Sequence, residues 1–187
     1  MPCLSEQEIR SLLEWARQAI VLAVTESQLP ANIPKDGIFG ERRGVFVTLH
    51  VCGRLRGCIG VIESQAPLGE SIVRCAAGAA LRDPRFPPLR EEELDELEIE
   101  ISLLSPAEPI SPDEIEIGRH GLLIAYEKQR GLLLPQVATE HRFNRTQFLE
   151  EACRKAGLPR QAWSQDDVQV LGFTCEVFSE GRPRSTE

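Results

Sequence analysis

Apolar and polar positions alternate along this chain in two periods, and the switch between them lays out the elements. Ile9, Leu12, Leu13, Ala16, Ile20 and Ala23 recur at helical spacing behind the capping box Ser5-Glu6-Gln7-Glu8, which predicts a helix over about 6–26. The run Val45-Phe46-Val47-Thr48-Leu49-His50-Val51 is β-branched and aromatic and reads as a strand. A small-residue helix is expected over 68–81, ended by Arg82-Asp83-Pro84 because proline cannot continue it. An acidic helical turn at 90–94 precedes a strand at 97–104, in which Glu98, Glu100 and Ser102 share the face opposite Leu97, Ile99 and Ile101. Turns at 106–109 and 111–113 lead to a second hairpin, 118–126 with 132–135, joined by the polar stretch 127–131. Pro135-Gln136-Val137 reads as the end of that hairpin's second strand, and Thr139 to Asn144 as a link into a helix over 145–156, with Thr146 as its candidate cap and Gly157 as its stop. A last strand is expected over 168–178. This order predicts an α+β protein with a mostly antiparallel sheet flanked by helices.

The first hairpin concentrates the candidate chemistry. Cys52-Gly53 occupies the place of a two-residue turn before Arg54-Leu55-Arg56-Gly57-Cys58-Ile59-Gly60. A regular ladder from that turn pairs Val51 with Arg54, Leu49 with Arg56 and Val47 with Cys58. Arg54, Arg56 and Cys58 then share one face, Leu55 and Ile59 the other, and His50 points away from the thiol. A guanidinium two residues from a thiol favours its nucleophilic, ionised form, and two arginines on one face make a candidate anion site. Gly57 and Gly60 leave backbone bare beside the thiol, as either a ligand or a closely packed segment requires. The opposing reading makes Cys58 a small core residue, since unpaired cysteines are among the most buried side chains.

Composition narrows the field. The hydrophobic fraction of 42% and charged fraction of 27% over 187 residues are those of one ordinary globular core. A net charge of −8 disfavours nucleic acid as a partner. No apolar run reaches membrane-spanning length, and the first residues lack a basic stretch ahead of an apolar one, so no membrane association and a cytoplasmic location are expected. Six cysteines, at 3, 52, 58, 75, 153 and 175, contain no CxxC pair, which predicts free thiols and argues against a zinc ribbon. Cys75, among small residues of the 68–81 helix, is expected to be buried. His50 and Cys52 form the one close ligand pair, too few for a structural zinc, so neither a metal nor another cofactor is expected.

Leu55-Arg56-Gly57-Cys58-Ile59-Gly60 resembles the signature hexapeptide of the AMMECR domain family. Asp83-Pro84-Arg85-Phe86, Ile101 to Pro106, His120-Gly121-Leu122, Leu133 to Val137 and Lys155 to Leu158 follow in that family's order. The resemblance spans about Ser5 to Glu180, implying a single domain over 1–180 and a disordered tail over 181–187. It also implies a larger lobe and a small sub-lobe with a cleft between them, the hexapeptide at that cleft, and the Asp83–Arg85 loop beside it. Two functions are carried forward. In one, Cys58 is an enzyme's nucleophile, Arg56 lowers its pKa or holds an anionic small-molecule substrate, and His120 or His141 moves a proton. Arg54, Gly57, Gly60, Asp83 and Arg85 then line the substrate. In the other, the chain resembles the A component of the AmmeMemoRadiSam system. It would be a noncatalytic substrate carrier or docking module for a Memo-type protein and a radical SAM enzyme.

Overall fold

The computed structural model describes residues 4–181. Residues 182–187, which carry most of the tail expected to be disordered, lie outside the described residues. The fold is α+β with antiparallel strand pairing, in two compact units. The larger takes the chain up to Leu103 together with the segment from Val177, and the smaller is Leu104–Glu176.

In the larger unit, α1 (Glu6–Thr25) starts where expected: Ser5 accepts the N–H of Glu8, and the Glu8 carboxylate accepts the N–H of Ser5 at 2.9 Å. Its buried stripe is Leu12, Leu13, Ala16, Ala19, Ile20 and Ala23. β1 (Val45–Val51) lies between β2 (Arg54–Val61) and β3 (Leu97–Leu104), antiparallel to both. Val45, Val47 and Leu49 pair with Leu103, Ile101 and Ile99, so one sheet face is continuously apolar. That face packs on α1 and on α2 (Leu68–Leu81) in a single core. Phe46, Thr48 and His50 pair with Ser102, Glu100 and Glu98 on the face turned away from both helices.

The smaller unit contains β4 (Glu108–Pro109), β5 (His120–Tyr126), β6 (Gln129–Leu133) and most of β7 (Gln169–Ser179). Its ladder runs β4-β7-β5-β6. The loop expected over 127–131 is a two-residue turn: Tyr126 pairs with Gln129, and Glu127 takes φ 46°. The strand end expected at 135–137 and the start of the link expected over 139–144 are instead a helix, α3 (Pro135–Glu140), because proline suits a first helical position whose N–H has no partner to lose. α4 (Arg145–Lys155) is capped by Asn144, whose Oδ1 accepts the N–H of Gln147 at 2.9 Å, in place of Thr146. Phe148, Leu149, Ala152 and Cys153 of α4 form this unit's core with Leu122 and Ile124.

Candidate functional site

The hairpin turn is as expected, but the ladder behind it is not. Cys52 and Gly53 have φ of 51° and 72°, the positive pair of a tight hairpin turn, and Val51 pairs with Arg54. A bulge follows: His50 pairs with Leu55 while Leu49 pairs with Gly57, leaving Arg56 as the extra residue. Beyond it Thr48 pairs with Cys58 and Val47 with Ile59, correcting the expected pairs Leu49–Arg56 and Val47–Cys58. The cause is burial. A regular ladder would set Arg56 and Cys58 under α2 and turn Ile59 out, whereas the slip by one packs Ile59 against the core and frees the guanidinium.

Two expectations about faces are overturned with it. Arg54 is paired with core-facing Val51 and does not share the face of Cys58. His50, expected to point away, shares the Cys58 face, two residues from Thr48. Diagonal neighbours of this kind have Cα atoms roughly 7–8 Å apart. The cross-sheet row Cys58, Thr48, Glu100 and the neighbouring pair His50 and Glu98 therefore populate one polar face.

The loop after α2 holds Cys58 from the free edge of β2. Its N–H donates to Asp83 Oδ2 at 2.8 Å, and Arg85 Nη2 reaches its carbonyl at 3.5 Å. With its backbone turned outward, Cys58 forms a non-hydrogen-bonded pair with Thr48, the closer kind. The Thr48 hydroxyl accordingly donates to Cys58 Sγ at 3.2 Å. Arg85 donates to Asp83 through Nε at 3.0 Å, Nη2 at 2.7 Å and its own N–H at 3.1 Å. The Arg85 guanidinium keeps the buried Asp83 carboxyl well below the usual carboxylate range, against the effect of burial, with help from the Cys58 and Arg85 N–H groups. Arg85 is itself held charged chiefly by its hydrogen bonds to Asp83, against the effect of burial.

Arg56 is a latch. Its Nε and Nη2 donate to Glu93 at 2.7 and 3.0 Å, and Nη1 and Nη2 donate to the carbonyls of Pro87 and Pro88 at 2.7 and 3.1 Å. The pair is 14% and 17% exposed at its side chains, and Arg56 draws the Glu93 carboxyl down to about 2. These bonds tie β2 to both ends of the segment 87–93. Gly57 and Gly60 are filled by the chain itself. A Cβ on Gly57 would stand 2.1 Å from the carbonyl oxygen of Ala79, and one on Gly60 would stand 2.2 Å from the Phe46 ring. The closely packed segment, of the two uses foreseen for bare backbone, is the one present.

His120 and His141 belong to the smaller unit. His120 opens β5 with Nδ1 accepting the Glu116 N–H at 3.1 Å, and His141 stacks on Phe143 at 5.2 Å between ring centroids. Among the described residues Cys52, Cys58, Cys75, Cys153 and Cys175 form no disulfide. Burial pushes the Cys75 thiol up to about 11 and also raises that of Cys153, so both are held as neutral packing groups. Cys52 is exposed at the turn and Cys58 is half-buried. Sequence reasoning missed Thr48, although alternation of Val45, Val47 and Leu49 demanded apolar or bare partners. Gly57, Ile59 and Val61 satisfy that demand, and Arg56 and Cys58 do not.

Among the described residues no group of three or more His, Cys, Asp or Glu side chains could hold a metal ion, and no helix is long and apolar enough to cross a membrane.

The fold and this hairpin define an α+β protein built around a cysteine held on a polar sheet face. A family model described as AMMECR1 matches residues 13–178, and the chain belongs to the AMMECR1 family. A protein of Methanothermobacter thermautotrophicus is 42% identical over 187 residues, covering 95% of this chain and 96% of its own. A protein of Methanosarcina barkeri is 40% identical over 190 residues, with 96% and 94% covered. The crystal structure of the uncharacterized protein PH0010 from Pyrococcus horikoshii superposes with a TM-score of 0.85 at 38% identity, covering 98% of this chain and 96% of that one. None of these names describes an activity.

Proposed function

We propose that this protein is an enzyme in which Cys58 is a nucleophile toward an electrophilic carbon of a small ligand on the polar face of β1, β2 and β3. The observation that carries this reading is the Thr48 hydroxyl donating to Cys58 Sγ at 3.2 Å. Donors directed at a sulfur suit the charged sulfur of a nucleophile, whereas a cysteine that only fills space needs none. In the step proposed, a sulfur–carbon bond forms while the carbon's bond to its leaving heteroatom breaks, and the electron pair leaves with that atom. Asp83 and Arg85 position the backbone of Cys58 and Arg56 fastens the covering segment, so neither arginine is free to hold an anionic substrate. Of the histidines, His50 lies on the face of the thiol, whereas Nδ1 of His120 is engaged by the Glu116 N–H.

The test is modification of folded protein with iodoacetamide in a Cys52→Ser background, followed by mass spectrometry. Cys58 is expected to be alkylated at least as fast as free cysteine under the same conditions. Labelling of Cys58 only after unfolding overturns the reading. The hexapeptide would then be a packing and docking element, as in a module for Memo-type and radical SAM partners.

A further inference from the structure

We infer that Glu100 is the acceptor of the Cys58 proton and that the Thr48 hydroxyl relays it; the inference rests on Cys58 being a nucleophile. The three residues form one row across the sheet, since Thr48 pairs with Cys58 on one side and with Glu100 on the other. All three side chains project from the face away from α1 and α2. Directly opposed residues carry Cβ atoms about 4.5–5.5 Å apart, so a hydroxyl stands between a thiol and a carboxylate that can extend three bonds toward it. Thr48 touches the sulfur at 3.2 Å.

Of the other charges near the thiol, Asp83 and Glu93 are engaged elsewhere, while Glu98 faces His50 on the same sheet face. Asp83 is bound to Arg85 and to the Cys58 N–H, and Glu93 to Arg56. Glu100 is half-buried on the sheet, and no ion pair or hydrogen bond within the described residues commits its carboxylate. A hydroxyl can accept one hydrogen bond and donate another at once. In the transfer, the Cys58 S–H bond breaks and its proton bonds to Thr48 Oγ1. The original Thr48 hydroxyl proton leaves for a Glu100 oxygen. The products are a thiolate, an intact hydroxyl and a neutral carboxyl group, with no other reactant. Thr48 is the positioning residue of this relay, and Glu100 its terminal base.

Iodoacetamide alkylation of Cys58 in the Cys52→Ser protein tests it, with rates followed from mildly acidic to alkaline pH. Glu100→Gln and Thr48→Val are expected to slow labelling about tenfold or more near neutrality. Thr48→Ser, which keeps the hydroxyl, should stay within about twofold of the parent on the same scale. The deficits should vanish at alkaline pH, where the thiol ionises without a base, and the double variant should be no slower than the slower single one. A Glu100→Gln protein that labels like its parent at neutral pH overturns the relay and leaves the nucleophile in place. Deficits that persist at alkaline pH, or that multiply in the double variant, overturn it also, because they mark independent structural damage. A His50→Gln protein that alone reproduces the neutral deficit assigns the base to His50 instead. If Cys58 does not label in the folded parent, the nucleophile reading and the relay fall together.

Discussion

Arg56 and Glu93 form a two-pronged ion pair, 2.7 and 3.0 Å at its contacts, across 37 positions of the chain. It joins the extra residue of a β-bulge to the short helical turn before β3, and it lowers the Glu93 carboxyl to about 2. Because the folded pKa lies below that of the unfolded chain, the stabilisation is complete above about pH 4.5 and is lost as pH falls toward 2. Asp83, lowered in the same direction chiefly by Arg85, adds to the loss in that acid range. Unfolding free energy measured against pH should therefore fall through this window. Glu93→Gln should remove on the order of 3 kcal/mol at neutral pH and flatten the acid slope. An unchanged slope would show that the pair is not coupled to folding.

Gly57→Ala should be among the most damaging single-methyl changes in the chain. The added carbon would stand 2.1 Å from a helix backbone oxygen, which cannot rotate aside as a side chain can. A loss of about 3 kcal/mol is expected, read as a lowered denaturant midpoint. An alanine variant as stable as the parent would mean that α2 can move off the sheet freely.

Reagent charge should matter at Cys58. Arg56 and Arg85 are each paired with a carboxylate, while Glu98 lies opposite His50 and Glu100 opposite Thr48 on the thiol's face. Two carboxylates two strands away, roughly 10 Å, each contribute about 0.4 kcal/mol toward a cation in a water-like dielectric, or about fourfold together. Cationic methanethiosulfonates, normalised to a free thiol, should therefore outpace neutral ones, with anionic ones slowest. Glu98→Gln should narrow the spread. The reverse order would restore an anion site at the hairpin.

Asp83→Asn should uncouple positioning from reactivity. The amide oxygen can still accept the Cys58 N–H but loses the charge that holds Arg85. A destabilisation of about 2–3 kcal/mol is expected by chemical denaturation, with a broader amide signal at Cys58. Wild-type stability would show that the loop is held by its prolines and Phe86 alone.

Most elements were legible because their signals are local. The capping box at Ser5, the proline stop after Leu81, the Cys52-Gly53 turn and the alternation of β3 each act within a few residues. The bulge was not, because a hairpin turn fixes only the first pair and both registers satisfy it. What decides between them is the carbonyl of Ala79, 22 residues beyond Gly57 in sequence and packed against it in space. The same slip decided the site, since one inserted residue exchanges His50 and Thr48 for Arg54 as companions of Cys58. Asp83 and Arg85 were found as neighbours of the hexapeptide through family resemblance. Their grip on the Cys58 backbone is a tertiary fact that no spacing encodes.

The Asp83–Arg85 loop has a consequence for the behaviour of the protein in concentrated solution. β2 has a free margin opposite β1, and an exposed strand margin invites another chain to add itself by β-pairing. At Cys58 the N–H is bonded to a side-chain carboxylate and the carbonyl faces a guanidinium. An incoming strand finds no donor or acceptor available there, and meets an ion pair that it would have to displace. The loop thus guards the hairpin against self-association, and loosening it exposes a template for aggregation alongside the thiol.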